Sequence, residues 1–315
     1  MVPLTPFPET DNKVNIMALK KQGLLEIHIA VLLFGLAGLF GKLLLLPPLV
    51  IVCGRTLFAT LTLGVILYFS KTPIRTKSIQ DLGVLVLLGG ILAIHWITFF
   101  QSIQMSTVAV GLLTFSTFPL FVTFMEPYFF KEKLYAFDIL VAAAVLIGLV
   151  LIIPSYDFQN RVTQGAFWGT MSGFTFAVLS ILNRKYVSAY PSTVIVFYQN
   201  GVAATLLIPF FLYKDISLQP SDYLLLVVLG VFCTALAHVL FIQSLLKIKA
   251  QLASIIACME PVYGIIFALA ILGEVPALRT IAGGFVILGT IVLATRKKTN
   301  KPLTTLANPK IREIH

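Results

Sequence analysis

Of 315 residues, 58% are hydrophobic and only 11% charged, with a mean hydropathy of +0.96. A soluble domain carries about 25% charged residues, so the composition excludes an ordinary cytosolic enzyme, a disordered chain, a collagen-like repeat and a disulfide scaffold. The net charge of +10, from 23 Lys and Arg against 13 Asp and Glu, is spread over loops and tails rather than one groove-sized face, which suits membrane topology and excludes a nucleic-acid partner.

Apolar runs of about 20 residues, enough to cross roughly 30 Å of hydrocarbon, recur along the chain. They predict helices at roughly 24–45, 48–69, 81–102, 106–129, 134–153, 164–187, 191–213, 221–245, 250–272 and 276–295. The expected fold is an all-α polytopic membrane protein with ten transmembrane helices in the lipid bilayer. Residues 1–22 read as a polar cytoplasmic tail, and residues 296–315 as a basic cytoplasmic tail. The first span is longer than a signal-peptide core and has no small-residue cleavage site after it, so it is expected to be retained. Cys53, Cys233 and Cys258 fall inside apolar runs without zinc or disulfide spacing; such thiols behave as small hydrophobes, and no metal or other cofactor is expected.

Counted over alternate loops, eighteen of the Lys and Arg residues fall on the side of the N-terminus, four (Lys42, Arg161, Lys214 and Arg279) on the other, and only Arg55 well inside a span. This bias predicts both termini in the cytoplasm of a plasma (inner) membrane protein and supports an even number of spans.

The chain also repeats itself at a spacing of about 142 residues. Gly23 and Lys42 fall on Gly165 and Arg184, Gln101-Ser102 on Gln243-Ser244, and Val108 through Pro119 on Ala250 through Pro261. The second span needs a shift of two, which sets Arg55 opposite Gln199. Each half has five helices, an odd number, so two such halves joined directly lie with opposite orientation. Two inverted five-helix repeats, at 23–153 and 164–295, are a recurring transporter architecture with the substrate near the midplane.

The stretches "STVAVGLLTFSTFPLFVTFMEPYFFKEKL", "AQLASIIACMEPVYGIIFALAILGEVPA" and "AGGFVILGTIVLATR" resemble the two EamA units of the drug/metabolite transporter superfamily. The resemblance spans residues 24–295. In that family the fourth helix of each unit carries a proline and, about 13 residues later, a glutamate at the helix end; here they are Pro119 with Glu132 and Pro261 with Glu274. Lys131 stands before Glu132 where a glycine, as in Gly273-Glu274, is more typical. The resemblance implies a secondary transporter working by alternating access on a small-molecule substrate, with amino acids or related amphipathic compounds and export favoured.

A charge at the bilayer centre costs about 2.5–3.5 kcal/mol on insertion scales, so ionisable groups inside spans are the candidates for a site. Arg55 in the second span suits a substrate carboxylate. Glu260, in "ACMEPVYG", suits an amine or a coupling proton. Four residues of offset, about 6 Å along a helix, separate their depths, which a free amino acid bridges. His95 and His238 lie at neighbouring repeat positions and suit proton coupling; Trp96, Tyr198, Gln199 and Tyr263 are candidate lining residues. Pro119 and Pro261 break the helix ladder and suit gating. Phe99, Phe100, Phe115 and Phe118 would extend an aromatic wall, whereas Glu126, Glu132 and Glu274 read as interfacial or helix-end residues. Glycines at 165, 169 and 173, and at 35, 38 and 41, offer small-residue faces near the repeat boundary.

The rivals are an uptake carrier or facilitator of the same fold, an intramembrane enzyme built on His95, His238 and Glu260, and a non-transporting scaffold. The enzyme lacks a recognisable nucleophile arrangement, and Gly38-x-x-Gly41-Lys42 lacks the spacing of a phosphate loop. The scaffold requires Arg55 and Glu260 to neutralise one another.

Overall fold

A computed structural model describes residues 9–130, 134–155, 157–186, 190–213, 217–245, 247–248, 256–257 and 259–299. Residues 1–8 and 300–315 of the tails, Lys131 and Glu132, Cys258, and residues 250–255 at the start of the ninth expected span lie outside the described residues, as does the side chain of Glu126.

Among the described residues every regular element is a helix. They are α1 (Glu9–Leu43), α2 (Pro48–Phe69), α3 (Ile79–Met105), α4 (Val108–Phe115), α5 (Phe118–Phe130), α6 (Ala136–Ile152), α7 (Arg161–Tyr186), α8 (Ser192–Tyr213), α9 (Pro220–Gly230), α10 (Ala237–Leu245), α11 (Glu260–Phe267) and α12 (Leu278–Thr299). A π-helical turn, Val231–Leu236, joins α9 to α10, and a second, Ala268–Leu272, prolongs α11. Seven helices are long and apolar enough to cross a membrane, and three shorter apolar ones occupy 136–152, 260–272 and 278–294. Leu45, Tyr68, Phe69, Leu278 and Phe285 stand open on the outside, as lipid contact requires. The chain is a polytopic helical membrane protein.

Two expectations about boundaries change. The first helix begins at Glu9 and carries its polar turns into the first span, so residues 9–22 are helical. The fourth span is broken into α4 and α5 at Ser116-Thr117, where both hydroxyls turn inward onto backbone carbonyls, Ser116 Oγ on Leu112 at 2.8 Å and Thr117 Oγ1 on Thr114 at 2.7 Å. Such back-bonding satisfies carbonyls released where a ladder ends.

The packing pairs helices across the two halves: α3 with α7, α10 with α1, α2 with α8, and α6 with α12. With little hydrophobic drive between helices in lipid, close approach at small residues supplies the association. A Cβ on Gly148 would stand 2.9 Å from the Gly283 carbonyl, and one on Gly35 would stand 2.8 Å from the Glu260 carbonyl. The glycine face of α7 lies between the halves, against α3 and α4; on α1, Gly35 meets α11 of the other half, whereas Gly38 meets α4 and Gly41 meets α3 of its own. These contacts also recur at the sequence repeat. Gly165 meets Ser106 as Gly23 meets Ile248, in the 142-residue register. Gly230 abuts Phe58 and the Arg55 carbonyl as Gly89 abuts Val202 and the Gln199 carbonyl; the contacted residues follow the register shifted by two, the glycines themselves do not.

Each end of the bundle is fastened between halves. At one end the Lys247 ammonium pairs with the Glu26 carboxylate, which also accepts from Gln22 Nε2 at 3.1 Å. At the other, Gly273 in the left-handed conformation (φ 67°) ends the ninth span, and Glu274 Oε1 accepts the Val108 N–H at 2.8 Å. That places a carboxylate on the positive end of α4. Lys42 Nζ donates to the Ser106 carbonyl at 2.7 Å beside it.

Removing one partner of a partly buried pair leaves the other charge uncompensated. Glu26→Gln and Lys247→Met are each expected to lower stability by about 1–3 kcal/mol, reduced from the fully buried case by partial exposure. The double variant is expected to recover part of the loss in thermal unfolding in detergent micelles. Simple additivity of the two would show that the pair contributes no coupling.

Candidate functional site

Arg55 sits on α2 with no exposed surface. Its Nε and Nη2 both donate to Thr234 Oγ1, at 3.0 and 2.8 Å. Thr234 belongs to the π turn, and its hydroxyl donates to the Leu229 carbonyl five residues back, at 2.8 Å. The wider π geometry therefore commits the hydroxyl proton to the backbone and turns the oxygen's lone pairs toward Arg55. Single π turns inside α-helices frequently mark functional sites.

The guanidinium carbon lies 3.5 Å from the Trp96 ring centroid and 5.4 Å from that of Phe100, a cation–π stack out of water. Two donors in this stack are buried and have no hydrogen-bond partner among the described residues, Arg55 Nη1 and Trp96 Nε1. No ion pair joins Arg55 to Glu260 among the described residues. The mutual neutralisation that a scaffold requires is not what holds Arg55.

Trp96 is the hub of the candidate residues. Its ring centroid lies 4.6 Å from that of His95 and 6.2 Å from that of His238. His95 is buried, with Nδ1 2.9 Å from Ser172 Oγ and 3.1 Å from the Ser172 carbonyl on α7. A carbonyl only accepts, so this contact uses an Nδ1 proton and leaves Nε2 as the free acceptor. His238 Nδ1 lies 2.8 Å from the Thr234 carbonyl, and its ring edges onto Phe34 of α1. The aromatic wall continues through Phe99, Phe115 and Phe118, with Phe176 of α7 joining it.

Glu260 opens α11 and is half-buried; its carboxylate accepts no hydrogen bond from a described residue. Pro261 follows it in the first turn, where a missing N–H costs nothing. Pro119 likewise lies in the first turn of α5. Both prolines start helices, and the prolines inside helices are Pro127 and Pro209. The crossing of α1 and α11 at Gly35 and Gly264 fixes where Glu260 sits, because each glycine would drive a Cβ into the other's backbone.

The structure brings Arg55, His95, Trp96 and His238 into one contiguous cluster. Other candidates stand apart from it. Tyr198 donates from its hydroxyl to the Ile74 carbonyl at 2.8 Å, fastening the loop before α3. Gln199 Nε2 donates to Asn183 Oδ1 at 2.7 Å. Tyr263 packs with Ile27, Val31 and Phe241. Two members of the cluster escape sequence reasoning, Thr234 and Ser172. Hydroxyls are common in membrane helices, and only the repeat-breaking π turn distinguishes Thr234.

A polytopic helical bundle with a buried cation that has no ion-pair partner among the described residues, at the junction of its halves, is consistent with a membrane transporter of small molecules. The chain belongs to the EamA-like transporter family, which matches residues 21–153 and 163–296. It is similar to the uncharacterized transporter YxxF of Bacillus subtilis, 24% identical over 302 residues and covering 94% of this chain and 96% of that one. An uncharacterized transporter of Archaeoglobus fulgidus is 28% identical over 200 residues, covering 64% of this chain and 72% of its own. The uncharacterized inner membrane transporter YicL of Salmonella typhimurium is 24% identical, covering 88% and 96%. A solved crystal structure shares the fold, with a TM-score of 0.65 at 17% identity over 90% of this chain and all of the other.

Proposed function

We propose that the protein is a secondary transporter that exports amino acids or related amphipathic compounds by alternating access. The observation that carries this reading is Arg55, a fully buried cation with no counter-ion among the described residues and one unpaired nitrogen. A buried charge in lipid needs compensation, and a substrate carboxylate supplies it. Glu260, whose carboxylate accepts no hydrogen bond from a described residue, faces the substrate amine or carries a coupling proton in this reading.

In this reading residues 23–153 and 164–295 are two inverted five-helix units, with ten spans and both termini in the cytoplasm. Support comes from the similar contacts that Gly23 makes with Ile248 and Gly165 with Ser106, and that Gly89 makes with Val202 and Gly230 with Phe58, and from the Lys and Arg bias between alternate loops. Halves fastened to each other at both ends suit a rocking exchange in which one fastener opens at a time.

The test uses purified protein in liposomes loaded with labelled amino acids and related metabolites, with and without an imposed pH gradient. Selective release of one class, accelerated by the gradient, is the expected result. Gradient-independent release would make the protein a facilitator. Folded protein that releases nothing from the pool would overturn the export reading.

A further inference from the structure

We infer that Arg55 Nη1 and Trp96 Nε1 form a two-donor clamp for a planar carboxylate, with Thr234 as the residue that aims it. The inference rests on the transporter reading of Arg55 and goes beyond it by assigning the second donor, its support and the chemical group bound.

The guanidinium is not free to present any of its edges. Nε and Nη2 are both taken by Thr234 Oγ1, and the plane is stacked 3.5 Å over the indole. Nη1 is the guanidinium nitrogen left without any partner among the described residues, and Nε1, the one polar side-chain atom of the indole stacked against it, is likewise buried and unpartnered. Arg55 is 0% exposed and Trp96 7%. Buried donors in a native protein are almost always paired; two orphans on stacked side chains mark a place where an acceptor binds. The acceptor is anionic, because Thr234 is neutral and no carboxylate of a described residue pairs with Arg55.

Two donors match the two oxygens of a carboxylate, whereas a phosphate would leave further oxygens unpaired in an aromatic surround. Thr234 takes no direct part in binding. Its proton is committed to the Leu229 carbonyl, so it has nothing to donate to a ligand, and it acts as a positioning residue.

The experiment isolates Trp96, one of only two tryptophans, in a Trp168→Phe background and follows its fluorescence in detergent micelles. The probes are acetate, glycine and L-leucine, each set against its amide: acetamide, glycinamide and L-leucinamide. At least one carboxylate is expected to shift the emission, with its amide requiring an at least tenfold higher concentration, and Arg55→Gln is expected to remove the response. In flux assays Trp96→Phe keeps the stacked ring but loses the N–H, and is expected to raise KM about ten- to hundredfold with kcat little changed. Thr234→Val is expected to raise KM similarly and Thr234→Ser to restore it, which a purely structural role would not do.

Equal responses to acids and amides, or no response to any of the three acids, would overturn the clamp. Carboxylate binding without flux would leave the clamp standing and remove the transport reading. Flux with an unaltered KM in Trp96→Phe would do the reverse.

Discussion

Replacing Arg55 with glutamine is expected to stop transport while leaving the protein as stable as before, or more so. The two effects have opposite signs because they arise from different states. In the empty protein the guanidinium is wholly buried, has no ion-pair partner among the described residues and leaves Nη1 unsatisfied. Removing such a charge relieves its desolvation, and a glutamine amide retains a donor for Thr234. In the proposed function, the same charge is the partner of a substrate carboxylate. Losing one side of a buried hydrogen-bonded charge pair costs about 2–5 kcal/mol, or roughly 30- to 4,000-fold in affinity at tenfold per 1.4 kcal/mol. Flux at subsaturating substrate and the thermal midpoint in micelles measure the two sides together. Normal flux from a folded Arg55→Gln protein would take Arg55 out of the site; loss of flux together with loss of folding would make it structural.

Gly169→Val is expected to have the largest effect on folding. A Cβ at Gly169 would overlap Thr114 Oγ1 and stand 2.8 Å from Ser102 Oγ. Neither neighbour is free to move. Thr114 Oγ1 is bonded to the Val110 carbonyl at 2.7 Å, and Ser102 Oγ donates to the Gly165 carbonyl at 2.6 Å. The helix α7 must therefore lift from α3 and α4, separating His95 from Ser172. Overpacking by even a methylene costs about 1–3 kcal/mol, and valine adds three carbons, so a loss of about 3 kcal/mol or more is expected. Gly83 and Gly289 serve as controls, since a Cβ at either meets nothing within 4 Å. Gly83→Ala and Gly289→Ala are expected to be neutral or to stabilise by up to about 1 kcal/mol. A Gly169→Val protein that unfolds at the wild-type temperature would show that α7 is not held as described.

Much of this architecture is legible in the residues because lipid imposes a simple rule: apolar runs of fixed length must become helices. The repeat is legible too, down to the shift of two that sets Arg55 opposite Gln199; the residues that Gly230 and Gly89 contact follow that shift, although the two glycines do not. Arg55, His95 and Trp96 stand out because charge and polarity are rare inside a span. The remainder depends on contacts between distant segments. Thr234 meets Arg55 across 179 residues, and the π turn that turns its hydroxyl has no compositional signature. For Tyr198 and Gln199 repeat position and aromatic character suggest a pore, and what the residues do not reveal is the hydrogen bonds of these side chains to the Ile74 carbonyl and Asn183.

The mismatch between Arg55 and Gln199 has a thermodynamic meaning. If two halves of a carrier were identical, its inward-open and outward-open forms would be mirror states of equal free energy, and its resting population would be half of each. Here one half carries Arg55, answered by a π turn and Thr234, while the matching place in the other carries Gln199, answered by Asn183 and an unbroken α3. In the proposed alternating-access reading, such an inequality would set which way the empty carrier faces at rest, and so which side of the membrane it samples first.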